Sequence, residues 1–155
     1  MHLKTVRLIF AFAAVSFGAF AQPSSTAPTA RPRAFPPVGL ASTETVQINF
    51  LNAAAASSSG MAASCTGTVS FTGPTGTAIG STHAYTVASN QIVSISLPFS
   101  QSGASGRTEI VVSYTPTASS APCALTTTLE VYDTSSGVTH LHLDDVGQVA
   151  PGFGR

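Results

Sequence analysis

The segment THLHLDD, residues 139–145, concentrates the side chains of this chain that are best suited to binding a metal ion. It holds two of the four histidines, His140 and His142, followed by two of the six acidic residues. If the segment is a β-strand, Leu141 and Leu143 face the core and the two imidazoles share the solvent side, because residues two apart lie on one face. The pattern therefore predicts either a metal site or the exposed polar face of an ordinary strand.

The hairpin that the sequence predicts before this segment supplies a third ligand. Pairing of Tyr132 with Val138 places Glu130 opposite His140, with His142 beside them on the same face. Two imidazoles and one carboxylate form a donor set that zinc or copper accepts in proteins. Because exposed ligands without supporting hydrogen bonds bind weakly, we take the polar strand face as the main interpretation. A zinc or copper site at Glu130, His140 and His142 is the alternative.

The chain carries no motif of a known catalytic mechanism. It has no G-x-S-x-G nucleophile motif, no phosphate-binding loop and no C-x-x-C pair. Its adjacent carboxylates, Asp144 and Asp145, point to opposite faces of a strand and are a poor acid–base pair. We therefore expect a protein without enzymatic activity and without a cofactor.

The two cysteines, Cys65 and Cys123, predict one disulfide bond. An even pair of cysteines in an exported chain is typically bonded, and both residues fall at inward positions of predicted strands. A pair of free buried thiols is the alternative, which export disfavours.

Export is predicted by the first 21 residues. His2, Lys4 and Arg7 precede an apolar run, Leu8–Phe20, and the small residues around Phe20 favour signal-peptide cleavage after Ala21. The run is shorter than the roughly 18–20 residues that a membrane span needs, and no other segment is a candidate. Without Lys4 and Arg7, four of the six basic residues remain against six acidic ones, so no surface for nucleic acid is expected. The mature protein is expected to be secreted or periplasmic.

Three regions follow the predicted signal peptide. Residues 22–37 are rich in proline and small polar residues and are predicted to be a disordered linker. From residue 38 onward, short runs alternate apolar and polar residues, as in ETVQINFLN, and turn residues separate them. Seven to eight such strands without a helical stretch predict an all-β fold, an immunoglobulin-like antiparallel β-sandwich over residues 38–143. Residues 144–155 are predicted to be a flexible tail.

Several of these runs also carry a resemblance. The runs VGLASTETVQINFLN, CTGTVSFTGPTGTAIG, YTVASNQIVSISLPF, GRTEIVVSYT and CALTTTLEVYDTSSGVTHLHL resemble small exported bacterial proteins of unassigned function. Those proteins share a first strand after Val-Gly, two strands that begin with cysteine and a final hairpin with D-x-x-x-G. The resemblance covers residues 38–143 and implies the sandwich fold and export. It implies no activity and no catalytic residue.

These observations predict an exported, non-enzymatic module with a structural, adhesive or binding role at the bacterial cell envelope. Its partner is expected to be a protein or a glycan, bound through an edge strand or a loop. The alternative is a small metal-binding periplasmic protein that uses the Glu130, His140 and His142 face.

Overall fold

The computed structural model describes residues 31–55, 64–117 and 123–145, which form two antiparallel β-sheets. The strands are β1 (Arg33–Ala34), β2 (Val38–Leu40), β3 (Glu44–Asn52), β4 (Cys65–Thr72), β5 (Ala78–Val87), β6 (Ile92–Pro98), β7 (Thr108–Pro116), β8 (Leu125–Asp133) and β9 (Thr139–Asp144). A short 3-10 helix, Phe99–Gln101, follows β6. Within the described ranges, no helix has the length and apolar character needed to cross a membrane. The predicted signal peptide, residues 1–21, lies outside them.

The strand pairing confirms the predicted all-β antiparallel sandwich. One sheet has the order β1–β7–β4–β5, with β2 also paired to β7, and the other has the order β6–β3–β8–β9. Because β1 and β2 pair with successive parts of β7, they share one edge, and the nine strands fill eight strand positions. With β1 and β2 counted as one strand, β3 and β6 are the second and fifth strands, and the last two strands lie in their sheet. In constant-type immunoglobulin domains, the last strand lies in the sheet that does not contain the second and fifth strands. The likeness to immunoglobulin domains is therefore one of architecture.

The core lies between the sheets and is centred on β3. Val46, Ile48 and Phe50 are fully buried there, as the alternation of apolar and polar residues predicts. Phe50 stacks on Tyr85 of the opposite sheet, with 4.0 Å between the ring centroids. The phenol of Tyr85 lies over Gly67, its partner on β4, where a Cβ atom would lie 2.4 Å from the Tyr85 hydroxyl oxygen. Glycine at position 67 is therefore required for this aromatic packing.

Cys65 and Cys123 form the predicted disulfide bond, which connects the two sheets. Cys65 is buried at the start of β4, whereas Cys123 is exposed and lies two residues before β8. The predicted inward strand position of Cys123 is therefore wrong. The chain joins the ladder of β3 only at Ala124, whose carbonyl accepts a hydrogen bond of 2.8 Å from the Ala53 N–H. With a sequence separation of 58 residues, the bond stabilises the fold by roughly 4 kcal/mol on the chain-entropy model.

The sandwich begins before the predicted boundary at residue 38. Arg33 and Ala34 pair with β7, and Phe35 is buried in the core, although the predicted linker extends to residue 37. Pro36 and Pro37 then separate β1 from β2, because proline has no N–H to donate to a ladder. The proline content that predicts disorder therefore marks an interrupted edge strand in this part of the chain.

The strand β5 is continuous, whereas the sequence predicts two short strands at residues 78–79 and 84–87. Its pairing with β4 shifts in register between Val69 and Phe71, which is the mark of a β-bulge. Gly80 lies in the same stretch with φ of 69°, a conformation that favours glycine. Gly80 is thus accommodated within one bulged strand.

Both ends of the described chain meet on Tyr114 of β7, in a contact that we call the terminal clasp (Arg33, Tyr114 and Asp145). The Tyr114 hydroxyl donates a hydrogen bond to the Asp145 carboxylate and accepts one of 3.5 Å from Arg33 Nη1. The same guanidinium nitrogen lies 3.6 Å from Asp145 Oδ2. Burial, and then the hydrogen bond to Asp145, raise the pKa of Tyr114. Residues 144 and 145, predicted to begin a flexible tail, are therefore held by the sandwich.

Candidate functional site

The outer surface of the four-stranded sheet carries most of the candidate residues found in the sequence, together with a wider set of polar side chains. The alternation that buries Ile48 and Leu129 turns their neighbours toward solvent. We call the resulting surface the polar face. Its members are Gln47, Asn49, Ser94, Ser96, Thr128, Glu130, His142 and Asp144.

The strand register arranges the polar face in two rows that cross all four strands. The first row runs Ser96, Gln47, Glu130 and His142, and the second runs Ser94, Asn49, Thr128 and Asp144. Directly opposed residues on one face of an antiparallel pair have Cβ atoms about 4.5–5.5 Å apart, so each row brings its side chains into contact.

The two amides of β3 form the centre of this surface. Ser96 Oγ donates to Gln47 Oε1 at 2.8 Å, and Gln47 Nε2 donates to Asn49 Oδ1 at 2.8 Å. Asn49 Oδ1 also accepts from Ser94 Oγ at 2.6 Å, and Asn49 Nδ2 donates to Thr128 Oγ1 at 3.3 Å. These bonds fix the orientation of both amides. Since an amide nitrogen has two hydrogens, each amide keeps one donor for a further partner.

At the β9 end of the rows, His142 lies between two carboxylates. Its Nδ1 atom is 3.2 Å from Glu130 Oε1, and its Nε2 atom is 3.0 Å from Asp144 Oδ1. The ring is half exposed, and both contacts lie at the surface. The imidazole is therefore oriented by its neighbours, as the amides are.

His140 has a different partner from the one that the sequence predicts. Its Nδ1 atom lies 2.7 Å from Glu44 Oε1, and Glu44 Oε2 accepts a hydrogen bond of 2.7 Å from the Ala41 N–H. The contact with His140, followed by the hydrogen bond from Ala41, lowers the pKa of Glu44. Glu44 begins β3, far from residue 140 in the sequence, and nothing in the local pattern indicates this contact.

The predicted hairpin register, with Tyr132 opposite Val138, is wrong. Tyr132 pairs with Thr139 instead. The ladder extends one position further toward the turn, where the Asp133 N–H donates a hydrogen bond of 2.9 Å to the Val138 carbonyl. The carboxylate of Asp133 stabilises the shorter turn by accepting hydrogen bonds from the hydroxyl and N–H groups of Ser135 and Ser136. The bond from the Ser135 hydroxyl, followed by that from the Ser136 N–H, lowers the pKa of Asp133.

A bulge then makes His140 an extra residue in β9, because the register shifts between Val131 and Tyr132. Glu130 consequently lies opposite His142 and not opposite His140. The exposed positions of both histidines are confirmed, while Leu141 and Leu143 are only partly buried against the core instead of fully buried.

This geometry separates the predicted metal ligands. His140 is directed to Glu44, and the two carboxylates beside His142 contact opposite nitrogens of its ring. A ring that contacts carboxylates through both nitrogens does not offer them a common metal position. Among residues 31–55, 64–117 and 123–145, no group of three or more His, Cys, Asp or Glu side chains is arranged to hold a metal ion. The metal site stays a prediction from the sequence.

A shallow cleft of about 380 Å³ adjoins the rows on β3 and β8, with Ile92 of β6 at its margin. Its lining combines the apolar side chains of Leu51 and Ile92 with the polar atoms of Asn49, Thr128 and Glu130. Ile92 is 66% exposed, so its apolar side chain is accessible at the margin of the cleft. The polar face therefore offers hydrogen-bonding groups directly beside an apolar patch.

A second cleft, of about 430 Å³, lies between the β4–β5 turn and the loop that follows the 3-10 helix. Glycine, serine and threonine make up seven of its twelve lining residues, and none of the twelve is ionisable. The third histidine of the predicted mature chain, His83, lies apart from both clefts on β5, with its ring 6.1 Å from that of Phe71.

Comparisons with protein-family models, with curated proteins and with solved structures found no match for this chain. The resemblance inferred from the sequence is therefore supported at the level of the two-sheet antiparallel sandwich, with no family identified.

Proposed function

We propose that this protein is an exported, non-enzymatic binding module of the bacterial cell envelope, and that its polar face binds a glycan. The observation that carries the proposal is the pair of polar rows that cross all four strands, in which hydrogen bonds connect the serines of β6, the amides of β3 and Thr128 of β8. The rows lie beside the cleft that Leu51 and Ile92 help to line.

The orientation of the amides supports a binding role. Gln47 and Asn49 are held by the serines of β6 and by Thr128, so a ligand would meet side chains whose rotamers are already fixed. Groups fixed before binding lose less conformational entropy when the complex forms, which increases affinity without adding contacts.

The mixture of groups supports a glycan as the ligand. Sugar hydroxyls both donate and accept hydrogen bonds, which suits free amide hydrogens next to the carboxylate oxygens of Glu130 and Asp144. The C–H faces of a sugar ring are apolar and suit the exposed surface of Leu51 and Ile92. A nucleic acid does not suit this surface, because phosphates are bound by lysine and arginine. The ionisable side chains of the rows are the two carboxylates of Glu130 and Asp144 and the imidazole of His142.

The proposed location rests on the disulfide and on the sequence. The Cys65–Cys123 bond is consistent with an oxidising compartment outside the cytoplasm. The predicted signal peptide and cleavage after Ala21 lead to the same location. The metal-binding alternative has less support, because His140 and His142 have separate carboxylate partners.

Binding of the purified mature protein to an array of bacterial polysaccharides, lipopolysaccharide O-chains and peptidoglycan fragments tests the proposal. For a glycan that binds, Asn49→Ala should weaken affinity by about tenfold, the loss of about 1.4 kcal/mol expected for a hydrogen-bonding group at the centre of a site. The matched control is Thr68→Ala, an exposed residue on the outer surface of the other sheet, which should leave the affinity unchanged.

Thermal unfolding of both variants checks that they fold. The proposal fails if no glycan on the array binds, or if Asn49→Ala binds as well as Thr68→Ala. Titration of the same protein with Zn²⁺ separates the alternative: stoichiometric binding that His140→Ala and His142→Ala abolish would favour the metal-binding role.

A further inference from the structure

The edge strands of the sandwich suggest a second contact surface, independent of what the polar face binds. An edge strand leaves backbone N–H and C=O groups without a neighbour, so another chain can pair with it unless the edge is protected. In the described part of the chain, the edges are the shared edge of β1 and β2, and the strands β5, β6 and β9.

Three of these edges carry recognised forms of protection. The edge of β1 and β2 consists of two short strands with Arg33 on the first and two prolines between them. The strand β5 contains a bulge at Gly80, and β9 contains a bulge at His140. The exposed side of β9 also carries Asp144. Charges, prolines, bulges and short strands all hinder pairing at an edge.

The strand β6 lacks these protections along most of its length. Its register with β3 is unbroken from Pro98, opposite Thr45, to Ile92, opposite Leu51. No residue of β6 is charged, and its single proline is the last residue. Ile92 is exposed, and Val93 and Ile95 are only partly buried although they face the core. The strand is therefore a regular edge with incompletely covered apolar side chains.

The direction of the free backbone groups in β6 follows from the ladder. Asn52 N–H donates to the Gln91 carbonyl at 3.1 Å, so this pair is hydrogen-bonded. Hydrogen-bonded and non-hydrogen-bonded pairs alternate in an antiparallel ladder, so Ile92, Ser94 and Ser96 belong to non-hydrogen-bonded pairs with β3. Their N–H and C=O groups point away from β3, toward the open side of the sheet.

We infer that β6 is the surface through which two copies of this chain pair, antiparallel and related by a two-fold axis at Ser94. In this register, Ser94 faces Ser94 of the second copy, and Ile92 faces Ser96. On the core side, Val93 faces Ile95, so the partly buried apolar side chains of both copies cover each other. An isologous contact of this kind closes on itself and forms a dimer instead of a fibre.

The chemistry of β6 favours a second copy as its partner. Pairing of a strand with itself places identical residues near one another, which is unfavourable when they carry charge, and β6 has none. Antiparallel pairing also keeps Val93 and Ile95 of both copies on the core side, and Ser94 and Ser96 on the side of the polar face. Since a single strand pair buries less surface than the roughly 1,200–2,000 Å² of a stable complex, the dimer is expected to be weak and to depend on concentration.

Sedimentation velocity of the mature protein over a range of concentrations tests the dimer, with Ser94→Lys as the disrupting variant. Two lysines opposed at the two-fold axis should weaken dimerisation more than about tenfold, because juxtaposed like charges at an interface cost several kcal/mol. Thr86→Lys is the matched control, since Thr86 is an exposed hydroxyl residue of β5, the long edge strand of the other sheet. It should leave dimerisation unchanged.

Hydrogen exchange of the unmodified protein gives a second measurement that does not depend on a variant folding. The amides of Ile92, Ser94 and Ser96 should become protected as the protein concentration rises, while those of β5 should not. The inference is overturned by a protein that stays monomeric at all concentrations, by open-ended assemblies, or by a dimer that Thr86→Lys disrupts and Ser94→Lys does not.

Discussion

The strands β6 and β9 are the two edges of one sheet, yet they are built in different ways. β9 pairs with β8 through a ladder that contains a bulge. Its histidines contact the carboxylates of Glu44 on β3, Glu130 on β8 and Asp144 on β9 itself. β6 joins β3 through an unbroken ladder, and its serines donate to the amides of β3. The polar face therefore changes along its rows, from ionisable groups at β9 to neutral hydroxyl groups at β6.

This difference bears on how the two edges contribute to stability and to association. Leu97 of β6 is only 4% exposed, whereas Leu141 and Leu143 of β9 are partly exposed at the margin of the core. The strand β6 is thus anchored to the core by Leu97 and by its unbroken ladder with β3, while its outer backbone groups stay open to a partner. β9 is bound less tightly, and its bulge and charges hinder further pairing.

The largest effect is expected at the centre of the sheet, on which both edges depend. Ile48 of β3 is fully buried and lies opposite Ile95 of β6 on one side and Leu129 of β8 on the other. Ile48→Ala should lower the free energy of unfolding by about 2–5 kcal/mol, since it leaves a cavity between the sheets. Urea unfolding measures this loss. If Ile48→Ala kept the full free energy of unfolding, the packing of Ile48 between β6 and β8 would not stabilise the sheet.

A direct comparison of the edges should give an intermediate effect. Leu97→Ala in β6 should cost about 2–4 kcal/mol, and Leu141→Ala in β9 about 1–2 kcal/mol, because less apolar surface of Leu141 is buried. The two variants remove the same atoms, so each is the control for the other in urea unfolding. Equal losses, or a larger loss for Leu141→Ala, would contradict the difference between the edges.

The smallest effect is expected from the ionisable contact at β9. The pKa of Glu44 is lowered by His140 and by the Ala41 N–H, so ionised Glu44 stabilises the fold above its ordinary pKa of 4.5. This stability is lost as the pH falls below that value and through the folded pKa, because protons then bind the unfolded state more strongly. Glu44→Gln should reduce the loss of stability on acidification by no more than about 1 kcal/mol, as for exposed ion pairs.

Urea unfolding of the Glu44→Gln variant at pH 7 and pH 3 measures this effect. Ser96→Ala in β6 is the control, since it removes a hydrogen bond of the polar face without removing an ionisable group. An identical acid response of Glu44→Gln and the unmodified protein would count against the contact.

Where a strand alternates strictly, the sequence predicts it correctly. In ETVQINFLN and TEIVVSYTP, apolar residues recur at every second position from Val46 to Phe50 and from Ile110 to Tyr114, and these residues are buried in β3 and β7. The errors arise where a local signal competes with tertiary contacts. The prolines around residues 33–34 predict disorder, but these residues form β1 by pairing with β7. The bulge at His140 shifts the register of β9, and the turn residues alone do not determine that register.

The polar face could be predicted only in part for a different reason. The sequence predicts that Glu130, His140 and His142 share one face of a hairpin, although it pairs Glu130 with His140 and not with His142. It contains no signal that Asn49 and Ser94, from strands distant in the sequence, lie beside them, since these contacts depend on the order of strands in the sheet. The same applies to Asp145 and its contact with Tyr114.

The terminal clasp brings the two ends of the described chain close together. Arg33 begins β1 and Asp145 directly follows β9, and both contact Tyr114. Arg33 Nη1 and Asp145 Oδ2 are 3.6 Å apart. A linker of a few residues would join these positions without crossing the sandwich. New termini could then be opened in a surface connection such as the β4–β5 turn, giving a circular permutant with the same two sheets and the same order of strands.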